Sequence, residues 1–231
     1  MLATRMRLGG GPSGVVTVTP RVGMLQDSGG GPAFTFTSTS LPGSSNTWRY
    51  ILVDAIARNS ASGATVSSMT LNGASMSLLA AYDEQQMDDA YMAHGAGILR
   101  VPSSTSATIV ITFSETVSWC VAQIYAVYNL KYPTTVVNKD KGRNAATTVT
   151  LSSFNIPSDG AGFFCGANQS DNNKTLSWTG ATESSEANLD GDNQGFAYAC
   201  DSTGETGTSD RIFSQGSYDG SRHAVIGFTL R

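Results

Sequence analysis

His94 and His223 are the only histidines in the chain, and neither has a carboxylate or a cysteine at the spacing of a metal-binding motif. Both lie in apolar runs, where a histidine fills a strand face more readily than it serves as ligand or general base. Cys120, Cys165 and Cys200 form no C-x-x-C pair and sit in SWCVAQ, GFFCGA and AYACDS. Three apolar cysteines read as buried free thiols of a reducing compartment, not as disulfides or ligands. G-x-S-x-G is absent, so the commonest local signature of a nucleophilic serine is missing. Asp83, Glu84, Asp88 and Asp89, and later Glu183, Glu186, Asp190 and Asp192, have the chemistry of a glycosidase carboxylate pair or a calcium loop. They fall in AYDEQQMDDA and around NLDGDNQG, however, and carboxylates collect in such solvated loops. Asp190-Gly191-Asp192-Asn193 departs from an EF-hand loop at Gln194, and no closing Glu follows. No catalytic, cofactor-binding or metal-binding residue is assigned, and the chain is predicted not to be an enzyme. Of the tryptophans, Trp119 and Trp178 read as core. Trp48, at a loop edge in SSNTW, is the candidate for stacking on a glycan.

The elements that must hold these residues are strands. In Ala107–Leu130, ATIVITFSETVSWCVAQIYAVYNL, Ile109, Ile111 and Phe113 share one parity, and Ser114-Glu115-Thr116 makes a polar turn. Trp119, Val121, Tyr125 and Val127 then share one parity while Cys120, Ala122, Ile124 and Ala126 fill the other, which predicts a strand buried on both faces. The 25 glycines and only 14% charged residues, with no sustained helical period, fit short strands and many turns. At 231 residues a single large sandwich is possible. A net charge of −4 without long basic patches argues against nucleic-acid binding. No apolar stretch is long enough for membrane insertion and no secretory signal is apparent, so synthesis and assembly are expected in the cytoplasm.

Residues 1–32 read as a glycine-hinged N-terminal arm. Gly9-Gly10-Gly11-Pro12 and Gly29-Gly30-Gly31-Pro32 bracket the strand-like Gly14-Val15-Val16-Thr17-Val18-Thr19, and the arm is slightly basic through Arg5, Arg7 and Arg21. A strand between hinges needs an edge to pair with. Two readings stay open. In one, Val15, Val16 and Val18 add to a neighbouring subunit while Arg5, Arg7 and Arg21 meet an acidic partner; in the other, the segment is an edge strand of its own domain.

Residues 33–231 read as the body, with an internal repeat of 33–131 and 132–231. FTFTSTSLP, ending at Pro42, has its counterpart in VTLSSFNIP, ending at Pro157. Arg58-Asn59-Ser60 aligns with Asn168-Gln169-Ser170, and Leu71-Asn72-Gly73-Ala74 with Trp178-Thr179-Gly180-Ala181. Asp83 aligns with Asp190, Tyr91-Met92-Ala93 with Phe196-Ala197-Tyr198, and Ser118-Trp119-Cys120 with Ser221-Arg222-His223. The joint Tyr132-Pro133-Thr134-Thr135 is too short for a flexible linker. The expected fold is all-β: an antiparallel, jelly-roll-like β-sandwich of two weakly similar halves. The alternative is two small domains in tandem.

Four pieces, Tyr50–Asn59, Val66–Gly73, Val101–Ser114 and Ile124–Tyr128, resemble in their order a pattern in virion structural proteins of tailed bacteriophages and of related prophage or gene-transfer-agent particles. The resemblance implies a β-sandwich on the particle surface: a capsid decoration or cement protein, a head spike or a tail component. It further implies a homo-oligomer, such as a trimer, contacting other virion proteins such as the major capsid protein. No site residue carries over. A carbohydrate-binding sandwich recognising a host-surface glycan through Trp48 is the alternative, and a glycan-degrading enzyme a more distant one.

Overall fold

The computed structural model describes residues 14–79, 83–86, 90–144, 146–168, 175–189, 194–202, 208–215 and 223–231, and these contain strands and no helix. Among the described residues no helix is therefore long and apolar enough to cross a membrane. The first half supplies β1 (Thr17–Pro20), β2 (Leu25–Asp27), β3 (Gly31–Ser40), β4 (Arg49–Asn59), β5 (Val66–Leu71) and β6 (Ala74–Ser75). It continues with β7 (Ser77–Leu78), β8 (Asp83–Gln86), β9 (Tyr91–Arg100), β10 (Ser106–Val117) and β11 (Trp119–Tyr128). The second half supplies β12 (Val136–Asn144), β13 (Thr148–Asn155), β14 (Ala161–Asn168), β15 (Leu176–Thr179) and β16 (Thr182–Leu189). It ends with β17 (Gln194–Asp201), β18 (Thr208–Gln215) and β19 (His223–Leu230).

All pairings are antiparallel. In the first half an inner sheet runs β1-β11-β4-β9-β7, with β2 also along β11 and β8 along β9, and an outer sheet runs β3-β10-β5-β6. The second half repeats the order: β12-β19-β14-β17-β16 inside and β13-β18-β15 outside. Alternation explains the outer strands, since β10 buries Ala107, Ile109, Ile111 and Phe113 and turns the residues between them outward. The inner strands β4, β11, β14 and β19 are apolar on both faces because each is covered twice. One face of β11, with Cys120, Ala122, Ile124 and Ala126, packs on its own outer sheet. The other, with Trp119, Val121, Tyr125 and Val127, packs on Phe163, Phe196, Tyr198 and Phe228 of the second half. The molecule is thus four sheets deep, with the two inner sheets face to face.

Local geometry repeats with the topology. Ser38 and Ser153 are non-glycine residues at positive φ, 50° and 54°. Each sits where its strand slips register, β3 against β10 and β13 against β18, so both copies carry a β-bulge at the same place. Gly73 (φ 78°) and Gly180 (φ 83°) turn the chain after β5 and β15. At the ends of β4 and β14 the structure corrects the register inferred above. Asn59 corresponds to Asn168 rather than to Gln169, because each turns to its outer sheet: Asn59 Nδ2 donates to Glu115 Oε2 at 3.2 Å and Asn168 Nδ2 to Gln215 Oε1 at 3.0 Å. At the joint, the Tyr132 N–H donates to the Arg231 carbonyl at 2.6 Å and the Thr135 N–H to the Tyr132 carbonyl at 3.0 Å.

Candidate functional site

Most polar side chains of the described residues face solvent or close a turn, which makes those trapped between the inner sheets informative. Asp54 interrupts the apolar run of β4 on the face turned to the second half, and His94 stands beside it on β9; both side chains have no exposed surface. His94 Nε2 lies 2.6 Å from Asp54 Oδ1. From the opposite sheet β14 brings Cys165, and the donor atoms of Asp54, His94 and Cys165 all lie within 4.8 Å of one another. The second carboxylate oxygen, Asp54 Oδ2, is buried without a hydrogen-bond partner.

The surroundings are apolar and aromatic. The His94 ring is 5.7 Å from that of Phe228, and Phe163 stacks on Phe228 at 5.3 Å. Burial pushes the Cys165 thiol well above the usual thiol range and the Asp54 charge adds to it. Tyr125 and Tyr198 are also raised, first by burial; Cys200 and Asp54 then act on Tyr125, and Asp54 on Tyr198. Both phenols bridge the sheets: Tyr198 donates to the Val121 carbonyl at 3.1 Å and Tyr125 to the Ala199 carbonyl at 3.5 Å. A third bridge passes through the buried Gln123, which accepts from Ser185 Oγ at 2.8 Å and donates to the Arg21 carbonyl at 2.8 Å.

The residues singled out by sequence fall elsewhere. Arg5 and Arg7 lie outside the described residues. The arm's strand finds its edge in its own chain: β1 pairs with β11, Val18 opposite Val127, and β2 continues along β11. Val16 is buried, Val18 half-buried and Val15 exposed. Arg21 is half-buried, its N–H donating to the Ile124 carbonyl at 2.8 Å. Trp48 is half-buried, with the Arg100 guanidinium 4.6 Å from its ring centre, so one indole face is already covered by a cation. Glu183 and Glu186 accept from the N–H groups of Trp178 (3.3 Å) and Leu176 (2.6 Å), which fastens β15 to β16. Burial raises the Glu183 carboxyl, and the Glu186 charge raises it further against the Trp178 bond. Asp88, Asp89, Asp190 and Asp192 lie outside the described residues, and for Asp83 and Glu84 only the backbone is described.

Sequence spacing did not bring out Asp54, His94 and Cys165 as a group, because they are scattered over 111 positions on three strands. One signal was present. An aspartate at the centre of ILVDAIA, a strand with two apolar faces, has to be paired inside the protein.

No protein-family model matches this chain, and no curated protein sequence is significantly similar to it.

Proposed function

We propose that this chain is a non-enzymatic structural protein of a tailed-bacteriophage virion, a capsid decoration, cement or head-spike component that assembles as a homo-oligomer on other virion proteins such as the major capsid protein. The observation that carries the reading is where the four resembling pieces fall. They cover β4, β5, β10 and β11, the buried centre of the first sandwich, and the second sandwich repeats its strand order. We read that order as a jelly-roll winding, an architecture frequent in viral coats though also in lectins. A further support is that Tyr125, Tyr198 and Gln123 use their side-chain polar atoms to bridge the two inner sheets.

The described part of the arm is committed to β11, so the reach to a neighbour passes to residues 1–13 with Arg5 and Arg7. The test is sedimentation of the full chain and of a chain lacking residues 1–13 with particles assembled in the bacterial host. The full chain is expected to travel with particles, and the shortened chain to fold with an unchanged melting temperature but stay in the supernatant. A full chain that never sediments with particles overturns the virion reading. Normal incorporation of the shortened chain overturns only the role of the arm, and loss of particle binding on glycan competition points to Trp48 instead.

A further inference from the structure

We infer that Asp54, His94 and Cys165 form a binding site for one divalent cation of the zinc type, held between the two inner sheets. Three observations converge. The donors are a carboxylate, an imidazole and a thiol, a set that suits zinc or cobalt and disfavours magnesium and calcium, which take oxygen ligands alone. Their donor atoms already lie within 4.8 Å of one another. Asp54 Oδ2, fully enclosed, has no hydrogen-bond partner, and a buried carboxylate oxygen left so is costly. A cation in the cluster supplies what that oxygen lacks.

Charge and proton balance fit the burial. Two anionic donors, carboxylate and thiolate, and a neutral imidazole around a divalent ion sum to zero, the charge an apolar interlayer accepts most cheaply. Loading displaces the thiol proton of Cys165 and the proton between Asp54 Oδ1 and His94 Nε2, and no electron is transferred. The present 2.6 Å between those two atoms is a hydrogen-bond length. Two ligands of a tetrahedral zinc stand roughly 3.3 Å apart, so loading opens the pair by about 0.7 Å while the thiol closes in. Because Asp54 and His94 come from one half and Cys165 from the other, the ion would rivet the two sandwiches.

The experiment uses the untagged full chain, unfolded with chelator and refolded with zinc or cobalt(II). Expected are about one ion retained per chain after gel filtration, a thiolate-to-cobalt charge-transfer band, and a melting temperature that rises with added metal. Cys165→Ser and His94→Gln should lose the band and most of the retained metal, while Cys120→Ser, whose thiol faces the other side of its sheet, should keep both. A wild-type chain that retains no metal, or whose cobalt has no sulfur neighbour by X-ray absorption, overturns the proposal. So does a Cys165→Ser chain that keeps its full metal content. If the variants do not fold, the X-ray absorption result on the wild-type chain decides alone.

Discussion

A thiol enclosed between sheets has no water to solvate its anion, so in the metal-free protein burial is the main cause that holds Cys120 and Cys165 in the neutral form well past the pH at which a free cysteine ionises, and it raises Cys200 as well. For Cys120 the nearby Asp27 adds to this; for Cys200 a hydrogen bond from Ser184 works against it. The unfolded chain meets no such constraint. Above about pH 8.5 it releases thiol protons that the native chain keeps, and stability falls with rising pH by up to ~1.4 kcal/mol per pH unit for each thiol. Below that range the contribution is fully present. Urea unfolding between pH 7 and 10 should therefore show a declining midpoint. Alkylation at pH 8 followed by mass spectrometry should label none of the three in the native protein and all three after denaturation. A native chain that takes up label rapidly at Cys165 would show the interlayer to be open. That these cysteines are buried was legible in their apolar neighbours. That one of them meets a carboxylate and an imidazole was not, since the encounter depends on how two separately paired sheets are laid together.

At the scale of elements, the N-terminal strands decide how the edge of the first inner sheet is closed. β1 and β2 lie along β11 and bring the buried side chains of Val16 and Leu25 with them, and the Arg21 carbonyl receives the Gln123 amide. Removing residues 1–27 should cost about 3–6 kcal/mol on the burial of those two side chains alone, and should bare the backbone of β11 to pairing with other chains. Removing 1–13 should cost nothing measurable. Chemical denaturation and light scattering of the two truncations separate the outcomes, and equal stability would mean that the N-terminal strands are dispensable. Sequence periodicity located β10 and β11 because strands with one or two buried faces write that fact in their apolar parity. It left the partner of β1 open because an isolated alternating strand carries no mark of whose edge it joins. The register at Asn59 went astray for a related reason: letters allowed a shift of one, and only the side to which the amide turns forbids it.

At the scale of the molecule, the two inner sheets bury Trp119, Tyr125, Phe163, Phe196, Tyr198 and Phe228 between them. Neither half can expose such a face to water. The full chain should melt in one cooperative transition by calorimetry and by tyrosine absorbance alike. Residues 14–131 and 132–231 expressed apart should aggregate or associate, and two monomeric, independently melting halves would sink this expectation. The way the faces meet has a further meaning. β11 lies against β17 through Trp119 and Phe196, while β9 lies against β19 through His94 and Phe228, so the last strand of each half meets the third from last of the other. That is the reciprocity a homodimer with a twofold axis shows, here found within one polypeptide. A single-copy ancestor would have needed a second molecule to cover the same sheet, and every residue of the seam would then have been present twice. One polypeptide carrying both halves is free of that constraint. In the register of the two inner sheets, His94 is paired with Ile56 where Tyr198 is paired with Cys165. The place of His94 in one copy is therefore held by Tyr198 in the other, and that of Cys165 by Ile56. A cluster of three unlike donors gathered off the axis is something a symmetric dimer could only have made in duplicate, and a duplicated chain could make once.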